Sequence, residues 1–264
     1  MGRFGEREAV AVTMTSLLSP ALPKLYPPDL EAYGVNARDR VATRTGVPLR
    51  DIADRIGAVL GIADLDFYLH RVRLRGIAVE LGQPPLLMVP SNLGERPFAK
   101  QVFLLARPLV LIAQELHALE KLTPRELEVL LASAARTVKP SFGAGLTSED
   151  FLDEQNRRIG RALPRRPRKL LEEASAEYVQ GPRVDIAHLT AWIVQNASHI
   201  AAIICGDLSA ALTRFSHRVV SVEVNLFVLE GTPEAFDKDV VEVAALAVHA
   251  ELDTPGEHRG GEGV

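Results

Sequence analysis

Apolar residues recur at helical spacing through most of the chain, which predicts a mainly helical protein. Residues 48 to 61, PLRDIADRIGAVLG, place their apolar side chains on one face, with a glycine where a C-terminal cap belongs: Ile52, Ile56, Val59, Leu60 and Gly61. The same kind of pattern predicts further helices at 99 to 119, 148 to 162 and 168 to 179, one or two helices at 184 to 214, and a last helix from residue 233 to residue 253.

A different pattern, alternation of apolar and polar residues, follows the first predicted helix. It places Leu65, Phe67 and Leu69 on one side of a first strand, and Ile77, Val79 and Leu81 on one side of a second. PPLLMVPSNL is apolar without interruption, which is typical of a strand covered on both faces. These three strands predict an α+β fold that is mainly helical with a small antiparallel sheet. Residues 218 to 231 alternate in a similar way and are interpreted as a further strand.

Prolines and weak patterning set the first part of the chain apart. Four prolines lie between residues 20 and 28, where they interrupt regular structure. We therefore interpret residues 1–45 as a proline-rich N-terminal arm, residues 46–252 as a single domain, and residues 253–264 as a disordered tail with little apolar surface. Thr123, Pro124 and Glu126 predict a capping box at the start of a helix inside that domain.

Composition narrows the function classes only slightly. The chain has 264 residues, with 30 Lys and Arg against 34 Asp and Glu, so a net charge of −4 gives no general attraction to nucleic acid. Cys205 is the single cysteine, which excludes an intrachain disulfide and fits a reducing compartment. No apolar run reaches the roughly 18 residues of a membrane span. The sequence therefore predicts a cytoplasmic protein without a membrane span.

One apolar segment contains a pair of residues that its pattern does not explain. In QVFLLARPLVLIAQELHALEKL, residues 101 to 122, Arg107 and Pro108 interrupt a predicted buried helix. An ordinary core helix with a proline kink would explain the pair if the arginine bonds a freed carbonyl or a carboxylate, or extends to solvent.

The order of these segments resembles that of the HtpX-like gluzincin peptidases. The strand VELGQPPLLMVPSNL precedes the 101 to 122 segment, and the apolar helix AWIVQNASHIAAIICGDLSAAL follows much later. In that family the first helix carries HExxH, which supplies two zinc ligands and a catalytic glutamate, and the later helix supplies a glutamate ligand. The resemblance covers roughly residues 50 to 215 and implies a gluzincin-peptidase-like fold.

The resemblance also implies that the site of the family has been lost. It places Arg107 at the first histidine, Pro108 at the catalytic glutamate and Leu111 at the second histidine. It places Val194 at the glutamate ligand and Ser198 at a neighbouring aspartate. A guanidinium has no lone pair for a metal, and proline, leucine and valine offer neither base nor ligand. The sequence thus predicts no catalytic residue, no metal and no cofactor.

A run of basic residues is the sharpest charge feature of the chain. RRIGRALPRRPRK contains seven basic residues and no acid; they are Arg157, Arg158, Arg161, Arg165, Arg166, Arg168 and Lys169. The run is a candidate binding surface for an acidic protein, nucleic acid or a phosphate-bearing surface. Acids at 149 to 154 and at 172 and 173 flank the run closely enough to neutralise it, which favours a solvated helix end and loop over a binding surface.

These patterns together favour a catalytically inactive metallopeptidase-like domain. We expect it to bind protein or to serve as a scaffolding subunit of a larger assembly, and homo-oligomerisation is compatible with that role. One alternative is an enzyme with an unrecognised site. A second, less favoured by the charge, is a nucleic-acid-associated module that uses residues 157 to 169.

Overall fold

The computed structural model describes residues 5–72 and 76–206, and in these residues the predicted α+β class is confirmed. Its α-helices are α1 Glu6–Leu18, α2 Leu22–Leu25, α3 Pro48–Val59, α4 Phe98–Ala113, α5 Ala118–Lys121, α6 Pro124–Ala135, α7 Glu149–Ala162, α8 Arg165–Tyr178 and α9 Ile186–Cys205. Its strands are β1 Asp66–His70, β2 Ala78–Glu80 and β3 Leu86–Pro90. Short 3₁₀ turns occupy Ser19–Ala21, Glu31–Tyr33, Ala37–Asp39 and Ser91–Glu95. The predicted strand at 218 to 231, the last helix and the tail lie outside the described residues.

Local signals place several of the helix ends. The predicted capping box is confirmed at α6, where the Glu126 amide donates to Thr123 Oγ1 and the Thr123 amide donates to Glu126 Oε2 at 2.7 Å. The predicted helix at 168 to 179 begins earlier, at Arg165, because Pro167 lies in its first turn, where a missing amide costs no helical hydrogen bond.

The predicted helix at 99 to 119 is two helices. α4 ends at Ala113, and the amides of Glu115 and Leu116 bond back to the carbonyls of Ile112 and Leu111. Glu115 has a left-handed backbone, with φ 57°, so this is a Schellman ending with glutamate where glycine is usual. The chain then resumes as the short helix α5, whose direction is set by that turn.

The sheet is mixed: the predicted antiparallel pairing is confirmed for β2 with β3, and it is wrong for β1, which pairs with β3 in parallel. β3 lies in the middle, parallel to β1 and antiparallel to β2, with Phe67 and Val79 both facing Leu87 in the register. Alternation identifies a strand but not its neighbour. The continuous apolar run of β3 suits a central strand, which is covered on both faces and bonded on both edges.

Both faces of the sheet are covered. Phe67, Val79 and Leu87 face the main core, whereas Tyr68 and Met88 face a second, smaller core closed by residues 30 to 35. Tyr68 of β1 and Glu80 of β2, which alternate with these apolar residues, are therefore buried as well. A segment distant in the sequence covers them, and alternation within a strand carries no information about such a cover.

Helix packing centres on α4, which is apolar nearly all round. It lies against α3 on one side and packs along α9 on another. Phe103, Leu105, Leu109 and Leu111 are almost fully buried in it, and Ala197 and Ala201 are equally buried on α9. Small residues on α9 allow the two helix axes to approach closely. No helix in the described part of the chain is long and apolar enough to cross a membrane.

The segment predicted as an arm is largely helical and contributes to the main core. Met14, Leu18 and Leu22 from α1 and α2 have no exposed surface. α1 packs against α8, and Arg7 donates to the carbonyls of Glu177 (2.7 Å), Tyr178 and Pro182 (3.1 Å). A cation at the last carbonyls of a helix is favourable, so Arg7 fixes the N-terminal helix to the end of α8.

Candidate functional site

Arg107 and Pro108 lie within α4 rather than at its start. Pro108 is buried inside the helix and has no amide to donate, so the carbonyl of Leu104 lacks its usual helical partner. Arg107 is only 17% exposed at its side chain. A charged group in such a place requires a partner, because an unpaired charge in the interior is expensive.

That partner is Glu120 on α5. Arg107 Nη2 lies 3.0 Å from each oxygen of the Glu120 carboxylate, whose side chain is 10% exposed. Among the three alternatives open from the sequence, the structure shows the carboxylate pair. The turn at Glu115 makes the pair geometrically available, because it folds α5 back toward the middle of α4.

The five positions that the resemblance singled out are divided between α4 and α9. Arg107, Pro108 and Leu111 lie on α4, and Leu111 has no exposed surface. Val194 and Ser198 lie on α9, where the Ser198 hydroxyl donates to the Val194 carbonyl at 2.9 Å. The two helices pack along each other. In residues 5–72 and 76–206 no group of three His, Cys, Asp or Glu side chains is arranged to hold a metal ion.

A second buried charge lies at the end of β2, and the sequence reasoning missed it. Glu80 is fully buried and accepts from Lys121 Nζ at 2.6 and 2.8 Å, from the Tyr33 hydroxyl at 3.2 Å and from the Asp29 amide at 3.1 Å. Four hydrogen bonds from three donor groups thus saturate one carboxylate. The available signal was an acid between the apolar residues of VELG, which alternation alone assigns to the solvent side.

Consecutive residues of α5 join the two ion pairs. Glu120 bonds Arg107 on α4, and Lys121 bonds Glu80 on β2. His117, just before α5, is 3% exposed, and its Nδ1 has no hydrogen-bond partner among the described residues. Burial lowers the pKa of His117 from 6.5 to about 4, so its imidazole is neutral near pH 7. We call Arg107, Glu120, Lys121 and Glu80 the α5 charge network.

The predicted basic run lies around the corner between α7 and α8. All seven residues are exposed: Arg157, Arg158, Arg161, Arg165, Arg166, Arg168 and Lys169. The first three belong to the second half of α7, and the other four to the first turns of α8. The structure therefore brings them to one region of the surface, separate from the buried α5 charge network.

Comparison with known proteins adds no family to this geometry. No protein-family model matches the chain, and no curated protein or solved structure matches it significantly. The gluzincin resemblance consequently stays a prediction that rests on the sequence motifs of α4, α9 and the preceding strand.

Proposed function

We propose that this chain is a catalytically inactive, metallopeptidase-like domain that acts as a protein-binding or scaffolding subunit of a larger assembly. The observation that carries the proposal is the ion pair between Arg107 and Glu120. If position 107 corresponds to the first histidine of a zinc site, the chain has put a fixed cation there and a carboxylate beside it.

The neighbouring positions support the same interpretation. Leu111 is fully buried and Val194 is half-buried, in helices that pack along each other, and neither side chain has a lone pair for a metal. Arg107 is already engaged by Glu120. The space that a metal and its water would need in the family is, on this proposal, filled by side chains that hold the two helices together.

We place this function in the cytoplasm, with another protein as the partner. Cys205 is buried, and as the only cysteine of the sequence it cannot form an intrachain disulfide, which suits a reducing compartment. On this proposal the domain has a packed core and no catalytic site, so it acts by binding a partner at its surface.

Zinc content and peptidase activity test the proposal. The purified full chain should contain no stoichiometric zinc by elemental analysis and should not hydrolyse casein. The variant Arg107→His/Pro108→Glu/Leu111→His/Val194→Glu supplies a complete ligand set and a base, so it should bind one zinc ion per chain. The matched control lacks only Val194→Glu and should bind zinc more weakly.

Two outcomes would contradict different parts of this proposal. Wild-type protein with one zinc ion per chain would overturn the inactive assignment. A quadruple variant that folds, as judged by circular dichroism, yet binds zinc no better than its control would overturn the peptidase-like arrangement of α4 and α9.

A further inference from the structure

Three of the seven basic residues at the α7–α8 corner are occupied within the fold. Arg158 donates to the carbonyls of Lys24 (3.4 Å) and Leu25 (3.3 Å) at the end of α2. Arg168 donates to the carbonyl of Leu163 (2.8 Å) after α7. Arg157 pairs with Glu154 at 2.9 Å. These side chains cap helix ends or neutralise an acid, so their charge has a structural explanation.

The other four have no comparable partner in the described residues. Arg161 is 74% exposed and lies 4.0 Å from the same Glu154, and Lys169 is 78% exposed and 3.8 Å from Glu173. Arg165 and Arg166 are exposed and form neither an ion pair nor a side-chain hydrogen bond within residues 5–72 and 76–206. Contacts this long and this exposed contribute little in water.

The positive charges of Arg165 and Arg166 lie where they destabilise the helix that carries them. Arg165 and Arg166 open α8, where the helix dipole is positive, and no acid lies in that first turn. Pro164 precedes them and provides no side-chain cap. An anionic group that approached this corner would interact with the guanidinium groups and with the free amides of the first turn.

An exposed leucine beside these basic residues indicates which kind of anionic partner the surface would bind, a protein segment or a nucleic acid. Leu170 is 42% exposed and follows Arg166 by one helical turn, directly after Lys169. Glu173 lies one turn beyond Lys169 on the same helix. A nucleic-acid backbone would gain nothing from the leucine, whereas a protein segment can present an apolar side chain among its acids.

We propose that Arg161, Arg165, Arg166, Lys169 and Leu170 form a docking surface for an acidic protein segment that carries an apolar anchor. This inference rests on the proposed protein-binding function and names the chemistry of the partner. The charges attract and orient the segment, and burial of Leu170 against its apolar residue adds an attraction that salt does not screen.

Fluorescence anisotropy with the full chain tests the surface. The probe is a fluorescein-labelled synthetic peptide of glutamates with a leucine at every fourth position, at low salt. The variant Arg161→Gln/Arg165→Gln/Arg166→Gln should bind it about tenfold more weakly than the wild type, since three exposed charge contacts are removed. Leu170→Ser should weaken binding about threefold, and this loss should persist as salt is raised.

A control with the same change of net charge separates the surface from general attraction. Arg38→Gln/Arg44→Gln/Arg55→Gln removes three exposed arginines elsewhere and should leave the affinity unchanged. Failure of the wild type to bind the peptide, or an equal loss in the control, would overturn the inference. Tighter binding of a labelled oligothymidine through the same three arginines would assign the surface to nucleic acid instead. None of these results affects the zinc test, so the two proposals fail separately.

Discussion

At the scale of single residues, Arg107 is tolerated in α4 because Glu120 balances its charge. The Glu120 side chain is only 10% exposed, and Arg107→Met removes the cation that pairs with its carboxylate. We therefore expect Arg107→Met to lower the free energy of unfolding by about 2 kcal/mol. The double variant Arg107→Met/Glu120→Gln removes both charges and should lose less than the single variant. Urea denaturation of the wild type, Arg107→Met, Glu120→Gln and the double variant measures the coupling energy of the pair. If the two single losses of unfolding free energy add up to the loss of the double variant, the pair is not coupled.

His117 links stability to pH, because burial lowers its folded-state pKa to about 4 from 6.5. The unfolded chain takes up a proton below pH 6.5 while the folded chain does not, so this residue reduces stability as pH falls from 6.5 to 4. The full effect is about 3 kcal/mol. His117→Gln should remove that part of the slope. An unchanged slope between pH 6.5 and 4 would show that His117 is not the group responsible.

At the scale of elements, the contact of α4 with α9 depends on small side chains. Ala201 is fully buried, and Ala201→Leu should overpack the contact and lower the unfolding free energy by about 1–3 kcal/mol. Ile203→Leu changes a 39% exposed residue on the same helix and serves as the matched control, with little expected effect. Equal melting temperatures for the Ala201 variant and the wild type would place that face outside a tight helix contact.

In the turn between α4 and α5, a substitution at Glu115 is expected to raise stability rather than lower it. Glu115 holds a left-handed backbone, and a glycine there removes the steric conflict of the Cβ atom. Glu115→Gly should therefore raise stability by about 1 kcal/mol. The hydroxyl of Ser16 donates to the Glu115 carboxylate at 3.0 Å, and Glu115→Ala removes that bond while keeping the strain. If Glu115→Ala raised the free energy of unfolding as much as Glu115→Gly, backbone strain would not be the cause of the gain.

At the scale of the whole molecule, local signals in the sequence predict where helices and strands lie better than they predict which elements pack against each other. The capping box at Thr123 and the single apolar face of α3 involve residues within a few turns, so sequence spacing predicts them. The central position of β3 depends on partners chosen through tertiary packing. Glu80 is buried because a segment some fifty residues earlier covers that face of the sheet, and the Arg107 partner depends on the turn at Glu115. Neither relation leaves a periodic trace in the sequence.

The role of the N-terminal helices decides whether the described part of the chain unfolds as one unit. Met14 of α1 has no exposed surface and belongs to the same core as α4 and α9. Met14→Ala should cost about 3 kcal/mol because a cavity forms, and denaturation should keep a single cooperative transition. Thr13→Ala alters the exposed neighbouring residue and should change stability by less than about 0.5 kcal/mol. A detachable arm would give a different result: a small loss at Met14, or a separate early transition followed by near-UV circular dichroism. The core position of Met14 predicts the large loss and the single transition.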